Sequence, residues 1–211
     1  MVIAPIIQTF AIAITAYYAS RGLRAWRWQL IGKRKIEIAE ETLVATYKVR
    51  SLFYYIRSPG AFGGEGTSRK RADDEKPGLA SLKDSYFVPI ERIQKTSDDF
   101  ARLEKARLLC EVYFGARAGD PFDVIMRLNR KVAVSAQMLL VTVGEGLDSS
   151  TNRERWEADI WHGASSQGTD PIEAAVDAAV VEIEALCRPH LKSADGSQWW
   201  QRCRELASRW R

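Results

Sequence analysis

Residues 36–56 read IEIAEETLVATYKVRSLFYYI, and their spacing decides the fold class. Ile38, Thr42, Ala45, Val49, Leu52 and Ile56 recur at threes and fours, which lines them along one stripe of an α-helix. Glu40, Glu41 and Lys48 fall off that stripe, where water can solvate them. No proline interrupts the chain from Arg21 to Arg57, so the helix is expected to run the whole way. Pro59 and the glycine-rich GAFGGEG that follows then stop it.

Working outward, further helical patterns follow. A long helix is predicted from about Val88 to Phe114, where Ile90, Ile93, Phe100, Leu103, Cys110 and Tyr113 recur at helical spacing and Gly115 follows the last turn. The next is expected to open with Asp120 as N-cap and Pro121 at the first helical position. It contains twelve uncharged residues, Val132 to Val143, too short a run for a bilayer and suited to the centre of a bundle. Asp170 and Pro171 open another, with Glu173 placed to return a capping-box bond and Pro189 as its end. The stripe Ile172, Val176, Ala179, Val180, Ile183 and Cys187 has no gap. No segment alternates with period two for long enough to argue for a sheet. The fold class is all-α: an N-terminal transmembrane helix, then a cytoplasmic helical bundle of about four to five helices.

The transmembrane reading comes from the other end of the chain. MVIAPIIQTFAIAITAYYAS, residues 1–20, has no charged side chain. As a helix, its apolar part spans ~26 Å at ~1.5 Å per residue, close to the ~30 Å hydrocarbon layer. Tyr17 and Tyr18 close the run, and Arg21, Arg24, Trp26, Arg27, Trp28, Lys33, Arg34 and Lys35 follow, the mix of amphipathic rings and long cations that a headgroup interface favours. A cleaved signal peptide would carry its positive charge before the apolar run, and here it lies after it. By the positive-inside rule the main domain is cytoplasmic and the N-terminus outside.

Charge supports the same division. The 211 residues carry a net charge of +4, yet all six basic side chains of residues 1–35 stand without an acid. The remaining 25 basic against 27 acidic leave residues 36–211 at −2. A sequence-independent nucleic-acid binder needs a basic excess on its folded body, so nucleic acid is not an expected partner. The expected organisation is an anchor (1–20), a basic juxtamembrane segment with the first long helix (21–57), a flexible loop (58–81), the helical bundle (82–192) and an amphipathic Trp/Arg tail (193–211).

Chemistry is sparse. No phosphate-binding glycine loop, zinc-protease motif or glycine-flanked serine nucleophile occurs. The three cysteines, Cys110, Cys187 and Cys203, have no metal-site spacing and fall on apolar stripes as small core residues. No cofactor, metal site or catalytic residue is expected. Trp199, Trp200, Arg202 and Trp210 give the tail the composition of an interaction surface.

Two resemblances accompany these readings. The run Trp26 to Glu40 (WRWQLIGKRKIEIAE), with Tyr47, Arg50 and Ile56-Arg57-Ser58-Pro59, resembles a group of bacterial proteins that have one N-terminal membrane helix and a helical cytoplasmic domain. The segment Asp170 to Lys192, ending IEALCRPHLK, is similar to the same group's C-terminal part. That resemblance implies bacterial inner-membrane anchoring and carries no activity. The layout is more remotely similar to small membrane-anchored helical proteins that accompany RNA-targeting defence systems. Separately, Arg155, the six residues WEADIW and His162 resemble the HEPN ribonuclease motif, which would imply histidine and arginine cleaving RNA from two protomers. Trp156 stands where that family has a polar residue. The expected function is a single-span, membrane-anchored, non-enzymatic interaction or effector module. Its partners are the bilayer and another protein, or itself as an oligomer; the alternative is a tethered HEPN-like ribonuclease using Arg155 and His162.

Overall fold

The computed structural model describes residues 3–73, 75–143, 150–164, 168 and 170–192; side chains are described from Ile12 onward, except those of residues 13, 25 and 192. The described residues form six α-helices, one 3-10 turn and no strand: α1 Ile3–Ile56, α2 Pro77–Lys95, α3 Ser97–Phe114, the 3-10 turn Ala116–Gly119, α4 Asp120–Thr142, α5 Ser150–Ile160 and α6 Pro171–Lys192. The protein is an all-α helical bundle. Among the described residues no helix is long and apolar enough to cross a membrane. The side chains of Met1–Ala11, the first half of the uncharged run, lie outside the described part.

The chain divides into two compact units, residues 1–40 with 190–211, and residues 41–189. In the larger unit, the stripe on α1 is buried as its spacing predicts, with Thr42, Val49, Leu52 and Ile56 inside, joined by Thr46 and Phe53. The Phe53 ring meets Phe100 of α3 edge-on at 6.0 Å, a geometry that the ring quadrupoles favour. Helix α4 is the centre: it packs against α2, α3 and α5 and buries Phe122, Ile125, Val132, Ala136 and Leu139. Helix α6 lies antiparallel to α1, and three polar ties close their outer seam in succession. Tyr47 donates to Glu184 (2.6 Å), Arg50 pairs with Asp177 (2.8 Å), and Tyr54 donates to Glu173. Cys110 and Cys187 are fully buried core thiols.

Several boundaries differ from the sequence reading, each for a local reason. The helix expected from Val88 to Phe114 is two helices broken at Thr96, whose hydroxyl donates back to the Arg92 carbonyl (2.8 Å). Asp98 and Asp99 then favour a fresh N-terminus, where the helix dipole is positive. Helix α2 starts at Pro77, inside the stretch expected to be loop, because Pro77 rather than Pro89 takes the first-turn position that tolerates a missing amide. Asp120 is the first residue of α4 and not its cap; Gly119, leaving the 3-10 turn, precedes it. Pro189 does not end α6, which runs on to Lys192, since proline's fixed φ is itself helical and only one amide bond is forfeited near the helix end. Asp170 does cap α6, accepting from the amides of Ile172 (2.9 Å) and Glu173 (3.2 Å), but the Glu173 side chain accepts from Tyr54 instead of closing a capping box. Helix α5 has no counterpart in the sequence reading.

The segment between α1 and α2 is tied to the bundle. Arg69 pairs with Glu75 and Asp84, and the Gly66 amide donates to Glu91 (2.6 Å). Gly66 holds φ +81°, and a Cβ there would sit 2.2 Å from the Asp84 carbonyl oxygen, so only glycine fits.

Candidate functional site

Two buried arginines organise the bundle around the C-terminal end of α1. Arg92 of α2 is fully buried and donates to the carbonyls of Tyr55 (2.8 Å), Ser58 (2.8 Å) and Gly60, which are the last turn of α1 and the chain leaving it. Its remaining donors hold Glu65 (2.6 Å), and its guanidinium lies 4.9 Å from the Tyr55 ring centre. Hydrogen bonds from Arg92 outweigh burial and bring the Glu65 carboxyl down to about 2, with the Phe62 amide and the Tyr55 hydroxyl contributing. Arg57 does the equivalent at α5. It donates to the carbonyls of Asp159 (2.9 Å) and Ala158 (2.9 Å) and pairs with the α6 cap Asp170 at 2.7 Å. Burial opposes the charge on Asp170, but Arg57 and the two cap amides prevail and hold its carboxyl below the usual range. A cation at a helix C-terminus and a carboxylate at a helix N-terminus both suit the backbone dipole.

The residues of the ribonuclease alternative do not meet within one chain. His162 sits against Tyr54 (ring centres 5.4 Å apart), with Nδ1 3.6 Å from Glu173 and 3.8 Å from Asp170. Its backbone amide donates to the Arg57 carbonyl (2.7 Å). The recess beside it measures about 10 Å³, room for one water at most. Arg155 lines a different and far larger cleft, about 450 Å³, between α4 and α5. Arg127, Arg130 and Lys131 reach that cleft from α4, at the i, i+3, i+4 spacing of one helix face, and Trp156 joins Arg155 from α5. Asp159 at its base is buried and already engaged, by Lys131 (2.6 Å) and by the Ser135 hydroxyl (2.8 Å).

The residues expected at a membrane interface lie in the smaller unit. Tyr18 and Trp28 are 67% and 73% exposed, and Ile12, Ile14, Tyr17, Leu23, Trp26, Leu30 and Ile31 are exposed as well. Arg21 donates to the Tyr17 hydroxyl (3.3 Å) and Arg24 to the Ser20 carbonyl (3.4 Å), while Arg34 pairs with Glu37. Arg27 and Lys33 are exposed; Lys35 is half-buried in a recess of about 240 Å³ with Trp28, Gly32 and His190. Burial and the charge of Lys35 both hold the His190 imidazole below its ordinary value. Trp199, Trp200, Arg202 and Trp210 lie outside the described residues. Among the described residues, no cluster of His, Cys, Asp or Glu has the makings of a metal site.

Sequence reasoning missed Arg57 and Arg92 as organising residues and the α4–α5 cleft as a cavity. The arginine spacing on α4 was the one available signal. Comparison with protein-family models, with curated proteins and with solved structures returns no match.

Proposed function

We propose that the protein is a single-span, membrane-anchored helical interaction module, with the bundle in the cytoplasm and the N-terminus outside. The observation that carries the reading is the uncharged run of residues 1–20 followed by six basic side chains before any acid. From Ile3 onward that stretch belongs to one unbroken helix, α1. The apolar and aromatic side chains described on that stretch, from Ile12 to Ile31, are exposed. A row of this size exposed to water is costly, and a bilayer with its headgroup layer would cover it.

The bundle supports an interaction role. Val134, Met138 and Val141 stand at i, i+4 and i+7 on α4 and are exposed, at 54%, 38% and 49%. The stripe offers a partner an apolar surface, and its first residue, Val134, also lines the α4–α5 cleft. A second copy of the chain is the partner favoured here, since a shared membrane would raise the local concentration of copies.

The test is extraction. Membranes holding the full-length chain, washed at alkaline carbonate pH, should keep it in the pellet, as an inserted helix does. Release into the supernatant would contradict insertion and reduce the N-terminal helix to a surface or protein contact.

A further inference from the structure

The α4–α5 cleft holds a concentration of uncompensated positive charge that the membrane reading does not use. Elsewhere among the described residues of 41–189, arginines are matched to carboxylates. Arg50, Arg57, Arg69, Arg71, Arg92, Arg102, Arg107, Arg153 and Arg188 each have an acidic partner within ion-pair distance. Of the described arginines in that range, Arg117, Arg127, Arg130 and Arg155 form no ion pair, and three of those four line the same cleft. The one carboxylate at its base, Asp159, is committed to Lys131 and Ser135. All three arginines are exposed, so water screens their mutual repulsion, and the planar fork of arginine matches the oxygens of a bound phosphate two at a time.

The walls narrow the ligand further. Trp156 lines the cleft, is half-buried, and makes no ring–ring or cation–π contact with a described residue, so an indole edge or face is available to a ligand. A volume of about 450 Å³ is in the ordinary range for a small-molecule site, ~300–1,000 Å³. A nucleic-acid strand would need the basic surface to continue beyond the cleft, and residues 36–211 are net −2.

We propose that the cleft between α4 and α5 binds a phosphorylated ring compound of the nucleotide class, with Arg127, Arg130 and Arg155 on the phosphates and Trp156 against the ring. The site is independent of whether α1 enters a membrane.

Titration calorimetry on the full-length chain in uncharged detergent, at ~0.15 M salt where nonspecific surface attraction is screened, tests this with three probes. ATP carries phosphates and a ring, tripolyphosphate carries the phosphates alone, and glycerol 1-phosphate stands for a lipid headgroup. ATP should bind at least tenfold more tightly than either of the others. Arg155→Gln should weaken ATP and tripolyphosphate alike by tenfold or more. Trp156→Leu should weaken ATP about fivefold to hundredfold, the worth of one stacked base, and leave tripolyphosphate unchanged. Both positions are on the surface of a helix, and unchanged circular dichroism would show that the variants fold. No ATP binding at millimolar concentration, or binding untouched by Arg155→Gln, would overturn the site. Tripolyphosphate binding as tightly as ATP would overturn the ring contact, and glycerol 1-phosphate doing so would transfer the cleft to a lipid headgroup.

Discussion

Replacing Arg92 with alanine should destabilise the bundle by ~3–5 kcal/mol, the usual cost of breaking a buried ion pair by removing one partner. Arg92 is completely buried, so its loss leaves Glu65 charged in a largely dry site and strips partners from the carbonyls of Tyr55, Ser58 and Gly60. Arg92→Lys should recover only part of the loss, because one ammonium has three donors and cannot reach acceptors arranged around a planar fork. Chemical denaturation at pH 7 reads both values, and a loss under 1 kcal/mol in the alanine variant would contradict the role assigned to Arg92.

The same pair sets an acid limb. Glu65 titrates at about 2 in the fold against an ordinary 4.5, so it is the folded state that favours the carboxylate. Its contribution is therefore complete above about pH 4.5 and is lost as the pH falls from there towards 2. In Arg92→Ala the Glu65 carboxyl should return towards its ordinary range, and the part of the acid-induced loss that belongs to this pair should vanish from the stability profile.

The second large effect concerns α1. A chain beginning at Arg21 should move from the membrane pellet to the soluble fraction and keep its helical signal per residue. Among the described residues, the buried side chains begin at Ile38. Each lysine or arginine placed at a bilayer centre costs ~2.5–3.5 kcal/mol on insertion scales, so the basic cluster that remains cannot replace the deleted span. Retention of the truncated chain in carbonate-washed membranes would place the attachment elsewhere in the protein.

How far the sequence carried the fold can be read off individual elements. The α1 stripe was legible because Val49, Leu52 and Ile56 sit at unbroken helical spacing, and the α6 start because aspartate before proline is a local signal that needs no tertiary context. The break at Thr96 was not, since the apolar spacing of Ile93 and Phe100 continues across it. Helix α5 was hidden by its polarity: STNRERWEADI carries no apolar stripe, and what it buries is Ile160 together with Asp159, a carboxylate that is favourable inside only because Lys131 and Ser135 meet it. Arg92, between Glu91 and Ile93, reads as an ordinary surface cation, and only the returning chain at Tyr55–Gly60 makes it a hub. The basic cleft was half legible. Arg127, Arg130 and Lys131 are visibly on one helix face, but that no carboxylate answers the arginines depends on how α5 docks.

The orientation of α1 is the most exposed part of the account, and thiol labelling tests it most directly. Ser68 is exposed, Cys110 and Cys187 are buried, and Cys203 can be replaced by serine, so Ser68→Cys supplies one reactive thiol. In intact cells that thiol should resist a membrane-impermeant maleimide and react fully after lysis. Strong labelling before lysis would put the bundle on the outer side and contradict the proposed topology.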